Sequence, residues 1–154
     1  MASYREHVLE GASAVDLVVA LYDGIIRFLH GAVDAVERGD AEARRVAVRR
    51  AMDIIIHLQA RLRMDVGGKP AQALSEFYAS IFAQILQASQ SASKQKFEHA
   101  IDCVRNVRDA WREVARDPTV NMGARGAMAM AAPRPVEMDR GETGREAAGM
   151  SWTA

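Results

Sequence analysis

The residues of this chain best able to do chemistry are four histidines and one cysteine, and their spacing argues against their doing it together. His7, His30, His57 and His99 fall in separate segments. No Glu-x-x-His pair occurs, which removes the arrangement in which helical bundles hold a di-metal carboxylate centre. Asp53 and His57 are four apart, a spacing that lets side chains touch on a helix, and a solvated contact is what such a pair ordinarily makes. Cys103 is the single cysteine, so an internal disulfide and a multi-cysteine zinc site are both excluded. On the inner side of a helix it reads as an inert, buried thiol. The chain carries no phosphate-binding loop, nucleophile elbow or dinucleotide fingerprint. These patterns predict a protein that is not an enzyme and uses no cofactor or metal.

Charge offers binding chemistry of another kind. Arg44, Arg45, Arg49, Arg50, Arg61 and Arg63 stand against one acid, Asp53, and a basic helix can track phosphates. These arginines spread around the helix, however, and no aromatic residues interleave with them, so a solvated face is the plainer reading. A basic-helix nucleic-acid-binding protein, or a general helical adaptor, stands as the alternative function. Lys plus Arg and Asp plus Glu number 20 each, so no net field draws the chain to nucleic acid or anionic lipid. One cysteine fits a reducing cytosol. The N-terminal "MASYREHVLEGAS" has no apolar h-region, and no apolar run approaches the roughly 18 residues that span a bilayer. A cytoplasmic location without stable membrane insertion is expected.

Any site must be positioned by helices, because apolar residues recur at helical and nowhere at strand spacing. Residues 13–38 open with a Ser-x-x-Asp variant of the capping box and carry apolar side chains at 18, 21, 25, 28, 32 and 36. Gly39 predicts a stop. Asp40 caps a second helix running to about Asp65, which Gly67-Gly68 should end. Pro70 marks the start of a third helix bearing Leu74, Phe77, Tyr78, Ile81, Phe82 and Ile85. Ser93 caps a fourth, with Phe97, Ile101, Val104, Val107, Trp111 and Val114 inward, closed by Asp117-Pro118. Four such helices joined by short turns predict an all-α, antiparallel up-down four-helix bundle over residues 13–117, preceded by an N-terminal cap segment, 1–12. Residues 118–154 hold three of the four prolines and five of the eight methionines, with no sustained stripe, and are expected to form a disordered, flexible C-terminal tail.

Two helices carry more apolar surface than a bundle contact needs. In "AMDIIIHLQARL", residues 51–62, three consecutive isoleucines point in directions about 100° apart. Ile54 and Ile55 flank the core side set by Ala47, Ala51, Leu58 and Leu62. Ile56, beside Met52, falls outside it among arginines. On helix one, apolar residues from Leu17 to Val33 cover about 200° of the wheel. Tyr4, Val8 and Leu9 are expected to cover that edge as a displaceable lid, which a foreign peptide would replace. Gly24 and Gly31 lie seven apart on one side, where they permit close backbone approach.

The stretch "LYDGIIRFL", residues 21–29, resembles the signature of the FliS family of flagellar export chaperones, a Leu-Tyr-Asp-Gly-x-Ile-x-x-Leu pattern on the first long helix. Tyr4 ahead of "VLEGAS", the segment "AMDIIIHLQARLRMDVGG", "EFYASI" and "VRDAWRE" are similar to further family motifs, in consistent order from Tyr4 to Arg116. Ala14 replaces the proline common after the serine, and His7 stands where a carboxamide is usual. The resemblance implies a four-helix bundle that binds the disordered C-terminal segment of flagellin, blocks premature polymerisation and presents the subunit to a component of the flagellar export gate, with no chemical step. The expected partner-binding residues are Tyr4, Val8, Leu21, Tyr22, Ile25, Ile26 and Leu29 at the N-terminal side, and Met52, Ile55, Ile56, Gln59 and Arg63 on helix two.

Because every apolar stripe and stop signal lies before Pro118, residues 1–117 should fold like the whole chain. Thermal melts of the two forms are expected to coincide within a few degrees. A large loss of stability on truncation would show that the tail is part of the core.

Overall fold

The computed structural model describes residues 2–116, with side chains placed from Ala14 onward. It has four helices, α1 (Ala2–Arg38), α2 (Ala41–Ala60), α3 (Gly68–Gln90) and α4 (Lys94–Arg116). Their short connections reverse the chain each time, giving the expected antiparallel up-down-up-down bundle. α1 packs extensively along both α2 and α4, while α3 closes the ring more loosely, most loosely against α2. The predicted tail, 118–154, lies outside the described residues.

Local chemistry sets the helix ends. Gly39 adopts φ +66°, and the Asp40 amide donates to the Ala35 carbonyl at 2.9 Å, the long bond that closes a Schellman turn. Asp40 then caps α2 by accepting from the Ala43 amide at 3.0 Å. Ser93 does the same for α4, accepting from the Lys96 amide at 3.2 Å. Between α3 and α4 the left-handed residue is Ala92, at φ +47°, a position that ordinarily favours glycine.

Three boundaries differ from expectation. α1 does not start at the Ser13 capping box; it runs unbroken from Ala2, so the predicted cap segment continues α1 itself. At about 1.5 Å per residue, Tyr4 and Val8 lie some 13 to 20 Å along the axis from Leu17. The expected lid of Tyr4, Val8 and Leu9 over the 17–33 edge lies outside the described residues, since the backbone of α1 is given from Ala2 but its side chains only from Ala14. α2 ends at Ala60, not Asp65, because the Arg61 amide turns to the Leu58 carbonyl at 3.2 Å, tightening the last turn. Leu62 still reaches the core from the connecting turn, leaving Met64 and Val66 exposed. Gly67 and Gly68 consequently open α3 instead of closing α2, with Gly68 at φ +53°.

The core is continuous through all four helices. It is built from Val18, Tyr22, Ile25, Ile26, Leu29 and Val33 of α1, Val48, Ala51, Ile55 and Leu58 of α2, Tyr78, Ile81 and Ile85 of α3, and Phe97, Ile101, Val104 and Trp111 of α4. Each fully buried aliphatic or aromatic side chain contributes about 1.5 to 3 kcal/mol.

The two α1 glycines play different parts. A Cβ on Gly24 would sit 3.1 Å from Ile54 Cδ1, so the bare backbone there lets α2 approach α1 closely. A Cβ on Gly31 would meet Ala47 Cβ at 3.8 Å, an ordinary contact. Gly31→Ala is therefore expected to stabilise the fold by up to about 1 kcal/mol through helix propensity alone. Gly24→Ala should gain less or lose, because Ile54 must move; urea melts of the two variants measure the contrast.

Candidate functional site

The loose packing of α2 against α3 leaves an open groove of about 440 Å³ lined by Ile55, Ile56, Gln59 and Ala60 from α2 and Tyr78, Ala79 and Phe82 from α3. Gln59 is its single amide, and its Nε2 donates to Ser75 Oγ at 2.7 Å, bridging the two helices. Alanines at 60 and 79 keep the groove open, since a longer side chain at either position would project into it. Ile56 forms its exposed lip at 54% accessibility. A second cavity, where Leu17, Leu21, Leu62, Leu74 and Trp111 meet near the N-terminal side of the core, holds only about 20 Å³. That is room for a water molecule and not for a ligand.

The three isoleucines resolve as the helical wheel requires. Ile55 is buried at 2%, Ile54 is half-buried over Gly24, and Ile56 faces out. Of the expected partner-binding residues, Ile55, Ile56 and Gln59 come together in the groove. Met52 is half-buried on the core edge of α2. Arg63, in the turn after α2, lies 3.7 Å from Asp65 and is not part of the groove lining. Leu21 is half-buried beside the small cavity. Tyr22, Ile25, Ile26 and Leu29 are placed in the core, none more than 7% exposed, because α1 is flanked closely by both α2 and α4 and its wide apolar arc serves two neighbours. In this form their side chains are packed within the bundle.

Sequence reasoning did not place the α3 wall, Tyr78, Ala79 and Phe82, among the partner-binding residues, although "EFYASI" was one of the family-like segments. Phe82 and Tyr78 read as part of a core stripe, and alanine carries no signal at all. The available hint was the width of that stripe, since Phe77 and Phe82 flank it and both emerge half-buried.

Behind the groove wall lies a buried polar chain. Trp111 Nε1–H donates to the Tyr22 hydroxyl at 3.3 Å, and the Tyr22 and Tyr78 hydroxyls share a bond of 2.7 Å. The tyrosine rings meet edge to face, 6.2 Å between centroids. Burial pushes both phenols above their ordinary value, with the neighbouring tyrosine raising Tyr78 further and hydrogen bonds from Tyr78 and Trp111 partly offsetting the rise at Tyr22. Asp23, next to Tyr22, accepts from Arg108 at 2.8 Å and lies 3.5 Å from Arg112, tying the same levels of α1 and α4 together at the surface.

Three of the arginines in and just after α2 have neighbours of different kinds. Arg45 pairs with Glu42 at 3.9 Å, Arg50 lies over the Phe28 ring at 5.8 Å, as does Arg27 of α1 at 5.2 Å, and Arg61 borders the small cavity. Cys103 is half-buried, not fully buried, with its Sγ 3.8 Å from His99 Nε2. Among the described residues no cluster of His, Cys, Asp or Glu is placed to hold a metal ion, and no helix is long and apolar enough to cross a membrane.

Residues 1–118 match the family model described as "Flagellar protein FliS". The chain is similar to the flagellar secretion chaperone FliS of Campylobacter jejuni, 32% identical over 118 residues that cover 77% of this chain and 92% of the relative. It is likewise 32% identical to the protein of the same name from Salmonella typhimurium, over 71% and 82% of the two chains, and 30% identical to that of Vibrio cholerae, over 69% and 78%.

The buried phenols make stability sensitive to alkali. A group whose folded pKa lies above its unfolded value contributes stability that is fully present below the unfolded value, here 10.0, and is lost as pH rises past it. Denaturant midpoints should therefore fall above about pH 10, and less steeply in Tyr22→Phe or Tyr78→Phe. At neutral pH, Tyr22→Phe should cost more, about 1 to 3 kcal/mol, since it strips a partner from both Tyr78 and Trp111.

Proposed function

Because this chain belongs to the flagellar protein FliS family, we propose that it is a cytoplasmic secretion chaperone that holds the C-terminal segment of flagellin in the groove between α2 and α3. Holding that segment keeps the subunit from polymerising before export and presents it to a component of the flagellar export gate. No bond is made or broken. The observation that carries this reading is the outward-facing Ile56 at the lip of an apolar groove, which no other part of the described bundle covers.

The energetics suit a chain that arrives unfolded. Ordering a disordered segment costs about 2 to 5 kcal/mol or more, beyond what one exposed isoleucine returns. Ile56 and Phe82, with the edges of Ile55 and Tyr78, supply several apolar anchors in one groove, and Gln59, whose Nε2 donates to Ser75, leaves its amide oxygen to accept from a client backbone. Tyr4 and Val8, on the first turns of α1, complete the proposed partner-binding set with Met52 and Arg63.

Co-expression with flagellin tests the partner: the two should co-purify, flagellin lacking its C-terminal segment should not, and the complex should persist at high salt because the contact is apolar. Ile56→Asp should weaken binding more than tenfold, about 1.4 kcal/mol, with the melting temperature nearly unaltered. Ala79→Trp should fill the groove and act likewise. Ile55→Asp should instead cost several kcal/mol of stability by placing a charge in the core. If the Ile56 and Ala79 variants both bind flagellin normally, the groove is not its site.

A further inference from the structure

The groove has a candidate occupant within the same chain. α4 ends at Arg116, and residues 117–154 continue from there. Trp111, little more than one helical turn before that end, is level with Tyr22 and Tyr78 through their hydrogen bonds, and Tyr78 is itself a wall of the groove. α4 therefore ends close to the height of the groove and one helix away around the ring. The path from Arg116 to Ile56 crosses about two helix diameters, roughly 20 to 25 Å.

The sequence past Arg116 contains one uninterrupted apolar run, Ala127-Met128-Ala129-Met130-Ala131-Ala132, bounded by Arg125 on one side and by Pro133 and Arg134 on the other. A chain of ten or so residues between Arg116 and this run spans about 17 to 20 Å as a random coil and over 30 Å when drawn out. The spacing thus matches the distance to be bridged, the condition under which a tethered segment reaches a millimolar effective concentration. Residues 118–154 carry no net charge to steer them elsewhere, having four arginines against four glutamates and aspartates. The chemistry also fits: unbranched methionines adapt to irregular apolar surfaces and make favourable sulfur–aromatic contacts, here with Phe82 and Tyr78.

We propose that residues 127–132 occupy the α2/α3 groove of their own chain when no client is bound, so that flagellin must displace them. The proposal rests on the reading of that groove as the client site. Its role is to cover Ile56 and Phe82 in the empty chaperone and to set a threshold that short or weakly apolar segments do not cross.

The test uses the full-length protein with labelled isoleucine methyl groups. In Met128→Asp/Met130→Asp, the Ile56 and Ile55 methyl resonances should shift from their wild-type positions while that of Ile101 on α4 stays fixed, and the difference should not depend on protein concentration. A synthetic peptide of the flagellin C-terminal segment should bind the double variant about 3- to 10-fold more tightly than the wild type, as removal of an intramolecular competitor requires. An unchanged Ile56 resonance overturns the proposal. So does a shift that grows with protein concentration, which would assign the groove to a second copy, or one that appears in Trp152→Ala and not in the double variant, which would assign it to another segment. If Ile56 responds and the peptide binds neither protein, the client reading fails and the intramolecular occupant stands. If the peptide binds both equally and Ile56 is silent, the client reading stands alone.

Discussion

The hydrogen bond between the Tyr22 and Tyr78 hydroxyls, 2.7 Å long and sealed in the core, is the contact on which the rest of the architecture turns. With Trp111 donating to the same Tyr22 oxygen, it joins α1, α3 and α4 at one level. An unpaired hydroxyl or indole N–H at that depth would cost about 1 to 3 kcal/mol, so the three groups specify one another's positions where an all-aliphatic core would tolerate sliding. Tyr78 then has two duties. Its hydroxyl locks α3 to α1, and its ring forms the back of the groove. The groove wall is fixed by a bond made on its far side.

α2 is the helix this network leaves out, and its placement explains why a groove exists. Gly24 lets Ile54 settle against the α1 backbone, and small side chains at Ala47 and Ala51 continue that close approach. α2 is thus drawn toward α1, while α3 is held by Tyr22 and by its packing on α4. The seam between α2 and α3 stays open as a geometric consequence, bridged by Gln59 and Ser75, backed by the buried Ile55 and Tyr78 and lined by the small side chains of Ala60 and Ala79. Surface ion pairs such as Arg108 with Asp23 orient α4 against α1, yet pairs with this much solvent access are worth only about 0 to 1 kcal/mol and do not decide the arrangement.

Much of this was legible in the sequence, because periodicity reports directly on burial. The isoleucine triplet is the clearest instance: a 100° step per residue demands that three neighbours face three ways, and Ile54, Ile55 and Ile56 occupy a backbone contact, the core and the lip. The helix count, the Asp40 and Ser93 caps and the Gly39 turn were readable for the same local reasons. What one strand of pattern could not reveal was which neighbours each face meets. The broad arc of α1 looked like spare binding surface, and most of it packs against two flanking helices while Leu17 stays exposed. Ser13 and Asp16 offered a start signal that an already continuing helix ignores. Gly67 and Gly68 suit the end of one helix or the beginning of the next, and only the early tightening at Arg61 assigns them.

The groove itself was half legible for a deeper reason. Its α2 wall is a violation, an isoleucine where the wheel asks for a polar residue, and violations stand out. Its α3 wall is made of residues that obey the pattern: Tyr78 and Phe82 belong to an apolar stripe, and Ala79 is neutral anywhere on a helix. A concave surface needs small side chains at its base and large ones at its rim, so half its information lies in what is missing from the sequence. Chaperone surfaces of this sort are therefore read from one exposed anchor and completed by the fold. The tyrosine network bears on the wall from inside and makes no contact demand on Ile56, so a change at the exposed lip leaves the contacts that fix the wall in place.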